Sequence, residues 1–127
     1  MNAGSATGGP SRILVVEDDY FIAADLEYRL TEAGFAVVGV AASADEAVAL
    51  AESGTPRLAI MDIRLAGQRD GVDAAIELFD RLGVPSIFVT AHGDEQTRRR
   101  AARAKPLGWL QKPYAPDSLV RTVLATA

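Results

Sequence analysis

Apolar residues along the chain fall into two alternating patterns. Short, nearly unbroken apolar runs occur at Arg12-Ile13-Leu14-Val15-Val16, Phe35-Ala36-Val37-Val38-Gly39-Val40, Leu58-Ala59-Ile60-Met61, Ser86-Ile87-Phe88-Val89 and Leu107-Gly108-Trp109-Leu110-Gln111. Such runs predict strands covered on both faces. The segments between them repeat their apolar residues at helical spacing. Ile22, Leu26 and Leu30, with Ala23 and Ala33, make one stripe that Gly34 stops. Ser43 and Glu46 form a capping-box pattern ahead of Ala47, Val48 and Ala51, and that helix closes at Gly54 before Pro56. Val72, Ala75, Ile76, Phe79 and Leu82 give the clearest amphipathic helix. The segment from Asp94 to Ala104 has only alanines to bury, so it predicts a loosely anchored helix. Pro116 opens a last helix that turns Leu119, Val120, Val123 and Leu124 inward.

Strand and helix therefore alternate five times with no hairpin signal. That is the pattern of an α/β protein with a parallel sheet and five helices on both faces. Right-handed crossovers leave few topologies, of which the flavodoxin-like strand order 2-1-3-4-5 is the best match. Residues 1–11 are small, polar and Gly-rich and predict a flexible tail, with one domain over 12–127.

Composition narrows the function. The chain has no cysteine, which excludes thiolate metal sites and disulfides. A net charge of −4 argues against a nonspecific nucleic-acid partner. No apolar run reaches the roughly 20 residues of a membrane span, and the start lacks a signal peptide's features, so a cytoplasmic setting away from membranes is expected.

In a parallel sheet of this order, Glu17 and Asp18 follow strand one, Asp62 ends strand three, Thr90 ends strand four and Lys112 follows strand five. These four strands are neighbours, so the groups converge at one edge, where open α/β sheets bind their ligands. The outer strand two ends in Val40 and Ala41 and adds no chemistry. Crowded carboxylates repel unless a cation lies among them. Oxygen-only ligands select a hard ion, and Mg²⁺ that keeps several waters suits them best. Asp62 can act as a nucleophile toward phosphorus. Lys112 supplies a point charge for a phosphoryl oxygen and Thr90 a hydroxyl donor, and phosphoryl transfer needs little beyond such positioning.

The chain resembles the receiver domains of bacterial two-component response regulators. The resemblance spans Ser11 to Thr126 and rests on Ile13-Leu14-Val15-Val16-Glu17-Asp18-Asp19, Met61-Asp62-Ile63-Arg64-Leu65, Phe88-Val89-Thr90-Ala91 and Gln111-Lys112-Pro113. Asp18, Asp62, Thr90 and Lys112 stand 44, 28 and 22 residues apart, spacings that suit the family. The resemblance implies that Asp62 accepts a phosphoryl group from a phosphohistidine on a sensor histidine kinase or histidine phosphotransfer protein, and that phosphorylation changes partner binding. It further implies a Mg²⁺ ion on Asp18 and Asp62, on Glu17 through water, and on the Arg64 main-chain carbonyl. Thr90 and Lys112 would contact the phosphoryl group, and Lys112-Pro113 would be a cis peptide.

Several positions depart from the family's habit. Trp109 stands where the family usually carries a Tyr or Phe switch coupled to Thr90; the alternative is an amphipathic ring covering a sheet edge. Arg64 and His92 occupy the positions that tune hydrolysis of the aspartyl-phosphate. His92, the one histidine, reads either as a surface-loop residue or as a group orienting the attacking water. Arg98, Arg99, Arg100 and Arg103, with Lys105, form a basic run whose simpler reading is a solvated face and whose other reading is a partner surface.

A stand-alone receiver is the expectation, with a receiver excised from a hybrid kinase or larger regulator as the alternative. Turnover of an external substrate is not expected. A metal-dependent phosphatase is the rival enzyme reading, but Glu17-Asp18-Asp19 lacks the Asp-x-Asp frame of the haloacid-dehalogenase type. A flavin or dinucleotide module is disfavoured because the turn after strand one is acidic rather than Gly-rich.

Overall fold

The computed structural model describes residues 11–91 and 94–126. Five strands, β1 (Arg12–Val16), β2 (Ala36–Ala41), β3 (Leu58–Asp62), β4 (Ser86–Thr90) and β5 (Gly108–Gln111), form one sheet in the order β2-β1-β3-β4-β5. Every pairing is parallel. The helices between and after them are α1 (Tyr20–Glu32), α2 (Ala44–Gly54), α3 (Gly71–Leu82), α4 (Glu95–Ala101) and α5 (Pro116–Ala125). The expected α/β architecture and flavodoxin-like order are thus present.

Alternation along the strands sorts the core into two layers. Leu14, Val16, Ala59, Met61 and Phe88 pack with Ala47, Val48, Val72, Ala75, Leu78, Ala101 and Ala104 on the side of α2, α3 and α4. Ile13, Val15, Leu58, Ile60, Ile87 and Val89 pack with Leu26, Leu30, Leu119 and Val123 on the side of α1 and α5. Register aligns the carboxyl ends. Val16 lies beside Met61, Asp62 beside Val89, and Thr90 beside Gln111.

Local chemistry sets the helix ends. Asp19 caps α1, accepting from the N–H groups of Phe21 and Ile22 at 3.0 and 3.1 Å. Ser43 Oγ accepts from the Glu46 N–H at 3.2 Å, while the Glu46 carboxylate accepts from the Ala42 N–H, one residue earlier than a strict capping box. Asp70 and Asp73 make a reciprocal box at the start of α3. Gly71 is required there, since a Cβ would stand 1.9 Å from the carbonyl oxygen of Asp62. The first turn of α3 therefore rests directly on the backbone of that aspartate.

The apolar pattern misplaced several side chains. Leu124 is 54% exposed, because Leu119 and Val123 four residues apart already fill the inner face of α5 and Leu124 lies about 100° further round. Leu82 is also exposed, at the last residue of α3, whose buried face is Val72, Ala74, Ala75 and Leu78. Ala33 is exposed since it is the C-cap of α1. The expected helix from Asp94 to Ala104 divides into α4 and a 3₁₀ turn, Ala102–Ala104. Lys105 follows at φ 50, ahead of Pro106, which disfavours a right-handed helical residue before it. Strands two and five begin one residue later than expected, at Ala36 and Gly108.

Candidate functional site

The run of three acids after β1 divides its work. Glu17 is buried, 3% exposed, and its N–H donates to the Ala41 carbonyl at 2.8 Å, which fixes it to the end of β2. Asp18 is exposed at the mouth of the cluster. Asp19 also lines the cavity but spends its carboxylate as the α1 cap, and its N–H donates to Glu17 Oε2 at 3.0 Å. Asp62, 6% exposed, ends β3 next door. One carboxylate oxygen from each of Glu17, Asp18 and Asp62 lies within 4.8 Å of the others, a spacing that can hold a metal ion.

Lys112 closes the cluster from the β5 side. Its Nζ lies 3.2 Å from Asp62 Oδ2 and 3.3 Å from Glu17 Oε1. The Lys112–Pro113 peptide is cis, as the resemblance implied. Asp62 Oδ1 accepts from the Arg64 N–H at 3.3 Å. Thr90 is buried at the end of β4. Glu17, Asp18, Asp62, Arg64, Thr90 and Lys112 all line one cavity of about 740 Å³.

Electrostatics show one lysine to be insufficient compensation. Burial, reinforced by Asp62, pushes Glu17 up to about 7 despite Lys112 and the Asp19 N–H. For Lys112, burial favours the neutral amine, but the charges of Asp62 and Glu17 outweigh it and hold the group above the ordinary lysine value. An oxygen-only, anion-rich, partly buried site with a raised carboxylate pKa is what a hard divalent cation relieves.

The expected residues thus meet at one edge, with two exceptions. Trp109 does not line the cavity. It is half-buried on the α2–α4 side, stacked on Phe88 at 4.8 Å between centroids and 26° between planes. The Arg98 guanidinium lies 4.4 Å above the indole. His92 falls outside the described residues.

The four arginines of the basic run are exposed, as a solvated face would be, and each also finds a partner within the chain, Arg99 with Glu95 of its own helix at 3.4 Å. Arg98 covers Trp109, Arg100 pairs with Asp70 at 2.6 Å, and Arg103 with Asp80 at 3.0 Å. Asp70 and Thr97, neither singled out from sequence, also line the cavity. The Asp70-x-x-Asp73 spacing ahead of an apolar stripe was the available signal for the former.

An open parallel sheet with carboxylates and a lysine gathered at its carboxyl edge is an α/β domain with its polar site where such sheets bind ligands. The chain belongs to the response regulator receiver domain family, whose model matches residues 13–124. It is 37% identical over 114 residues to the transcriptional regulatory protein PdtaR of Mycobacterium tuberculosis, covering 90% of this chain and 55% of that protein. It is 38% identical over 110 residues to the phyllosphere-induced regulator PhyR of Methylorubrum extorquens, covering 86% and 40%. The chain thus spans about half the length of these relatives. Among solved structures, the signal receiver domain of a modulated diguanylate cyclase from Desulfovibrio desulfuricans G20 superposes with a TM-score of 0.84. It is 39% identical, covering 91% of this chain and 92% of that one. The chain is a receiver domain of phosphorelay signalling. Among the described residues, no helix is long and apolar enough to cross a membrane.

Proposed function

We propose that Asp62 is the phosphoryl acceptor of this receiver, and that its donor is a phosphohistidine on a sensor histidine kinase or phosphotransfer protein. The observation that carries the reading is a buried carboxylate at the end of β3, bonded to Lys112 at 3.2 Å and flanked by Glu17 and Asp18 within metal-ligand reach. An Asp62 oxygen attacks phosphorus, the P–N bond of the donor breaks, and its electron pair returns to the imidazole. Lys112 lies on one side of the acceptor and holds a phosphoryl oxygen by charge. Thr90, from the neighbouring strand, donates its hydroxyl to another.

Glu17, Asp18 and Asp62, with the Arg64 carbonyl, would hold Mg²⁺, Glu17 acting through water. The bound ion supplies charge neutralisation between the carboxylates and the incoming phosphoryl group. Arg64, and His92 beyond the described residues, tune attack by water on the aspartyl-phosphate. The setting is cytoplasmic, and the downstream partner is a protein rather than nucleic acid or membrane. Whatever output accompanies this domain, its own chemistry is a single phosphorylation with later hydrolysis and no turnover of an outside substrate.

The test is intact mass after incubation with Mg²⁺ and acetyl phosphate. A single phosphoryl increment is expected in the wild type, absent in Asp62→Ala and absent when Mg²⁺ is chelated. Steady release of phosphate from an unrelated phosphomonoester would instead favour the phosphatase reading.

A further inference from the structure

The helix that follows Thr90 buries little and meets its neighbour through charged pairs. Within α4 and its 3₁₀ extension, the buried residues are Ala101 and Ala104, which contribute one methyl group each. Beside that small apolar contact, Arg100 Nη2 donates to both oxygens of Asp70 at 2.6 Å. The same nitrogen lies 3.7 Å from Asp73 Oδ1. One turn on, Arg103 Nη2 lies 3.0 Å from Asp80 Oδ2. Asp70 is the N-cap of α3, and Asp73 and Asp80 lie on that helix. Acids spaced along α3 therefore face arginines spaced along α4. Arg99 differs, pairing within its own helix with Glu95 at 3.4 Å.

This contact reaches the acceptor by two routes. Asp70 precedes Gly71, which packs so tightly on the Asp62 carbonyl that no Cβ fits. Along the chain, α4 starts at Glu95, five residues after Thr90. The acceptor thus bears on the α3 side of the contact through Gly71, and Thr90, which lines the same cavity, leads along the chain to the α4 side.

We propose that the Arg100–Asp70 and Arg103–Asp80 pairs form a charge latch that holds α4 on α3 in the unloaded receiver and opposes the state stabilised by phosphorylation. The inference rests on the receiver chemistry proposed above. A contact made in one of two states biases the equilibrium toward that state by its own free energy. Both pairs are partly exposed, with side chains between 34% and 71% accessible. Each therefore shifts the equilibrium about two- to five-fold, the scale of surface ion pairs, and salt weakens it.

Beryllofluoride, a phosphoryl mimic, is titrated with Mg²⁺ present and followed by Trp109 fluorescence. The indole sits under Arg98 of α4 and so reports movement of that helix. Arg100→Gln should bind the mimic about two- to five-fold more tightly than wild type. Arg100→Gln/Arg103→Gln should bind more tightly still, and Arg99→Gln, which removes the same charge from the same helix, should match wild type. Added NaCl should narrow the gap between wild type and the double variant. With no ligand present, amides 95–101 should exchange faster in Arg100→Gln while those of α3 do not.

Equal or weaker binding by Arg100→Gln overturns the latch, as does an equal gain in Arg99→Gln or unchanged exchange in α4. In each of those cases the wild type still responds to beryllofluoride. A wild type that binds Mg²⁺ but not the mimic overturns the receiver chemistry and the latch together, and that outcome is distinct because no variant then responds.

Discussion

Helices α3 and α4 lie side by side and flank the same cavity, yet they are attached by different physics. α3 opens with a reciprocal capping box and buries Val72, Ala74, Ala75 and Leu78 against β3 and its neighbours. α4 and its 3₁₀ turn bury alanines and reach outward with arginines to Asp70, Asp80 and Trp109. Apolar burial is worth about 1.5–3 kcal/mol for one large side chain and does not depend on pairing a charge. Exposed ion pairs are worth about 0–1 kcal/mol each and depend on salt. The α3 side of the site is therefore held by packed apolar side chains, and α4 meets it through few apolar groups and several charged ones. A phosphorylation switch needs both: fixed ligands for the chemistry and a weakly held element to report it.

The largest effect that could break this contrast is at Gly71. Gly71→Ala places a methyl 1.9 Å from the Asp62 carbonyl oxygen, against the backbone of Asp62 and Ile63. The expected loss exceeds the ~1–3 kcal/mol of ordinary overpacking, measured by chemical denaturation. Mg²⁺ affinity should fall with it, because Asp62 itself must shift. A variant with wild-type stability would show that α3 is not seated on the acceptor as described.

Next in size is a direct comparison of the two helices. Leu78→Ala should cost about 2–5 kcal/mol, as a fully buried leucine does. Ala101→Gly in α4 should cost about 1.5–2 kcal/mol, the helix-propensity penalty plus a lost buried methyl. Urea unfolding of both variants measures the difference. Equal costs would mean that α4 is held by packing after all.

Much of this was legible from the sequence, and the exceptions follow a pattern. The five apolar runs, their order and the convergence of Glu17, Asp18, Asp62, Thr90 and Lys112 rest on strand periodicity and parallel topology, which are near-local signals. The misses are matters of rotation and of long-range pairing. Leu82 and Leu124 are apolar at roughly helical spacing, but each sits at a helix end where the inner face was already filled. The arginines of the basic run read as solvent-facing and are exposed, but their own segment could not show that Arg100 and Arg103 also pair within the chain. Their partners lie 30 and 23 residues away, on α3. Trp109 read as either a switch or an edge cover, and its neighbours, Phe88 on the paired strand β4 and Arg98 of α4 above, appear only once the chain is folded.

Arg98→Gln sharpens the comparison at smaller scale. It removes a cation from the Trp109 ring, worth about 0.5–1 kcal/mol at a partly exposed site. The indole emission should shift while α3 retains its hydrogen-exchange protection. An unaltered Trp109 spectrum would show that Arg98 does not cover the ring in solution.

The smallest expected effect is the response to acid, and its sign follows from Asp70. Burial alone would raise this carboxyl, but the Arg100 hydrogen bonds, with the Asp73 N–H and the Arg100 charge, bring it below the ordinary aspartate value. An acid held low in the folded protein contributes stability that is fully present above its unfolded pKa and is lost as pH falls through the folded one. The unfolded chain binds the proton first, so acidification favours release. Between neutral pH and the ordinary carboxylate range the Asp70–Arg100 contact should be unaffected. Below it, amides of α4 should lose protection at a pH where those of α3 near Leu78 still hold theirs, since burial of Leu78 does not titrate. Arg100→Gln should abolish that acid-dependent loss in α4, because Asp70 then has no cation to surrender. Loss of protection in both helices at one pH would mean that α4 unfolds with the core, and the distinction between a packed helix and a latched one would fall.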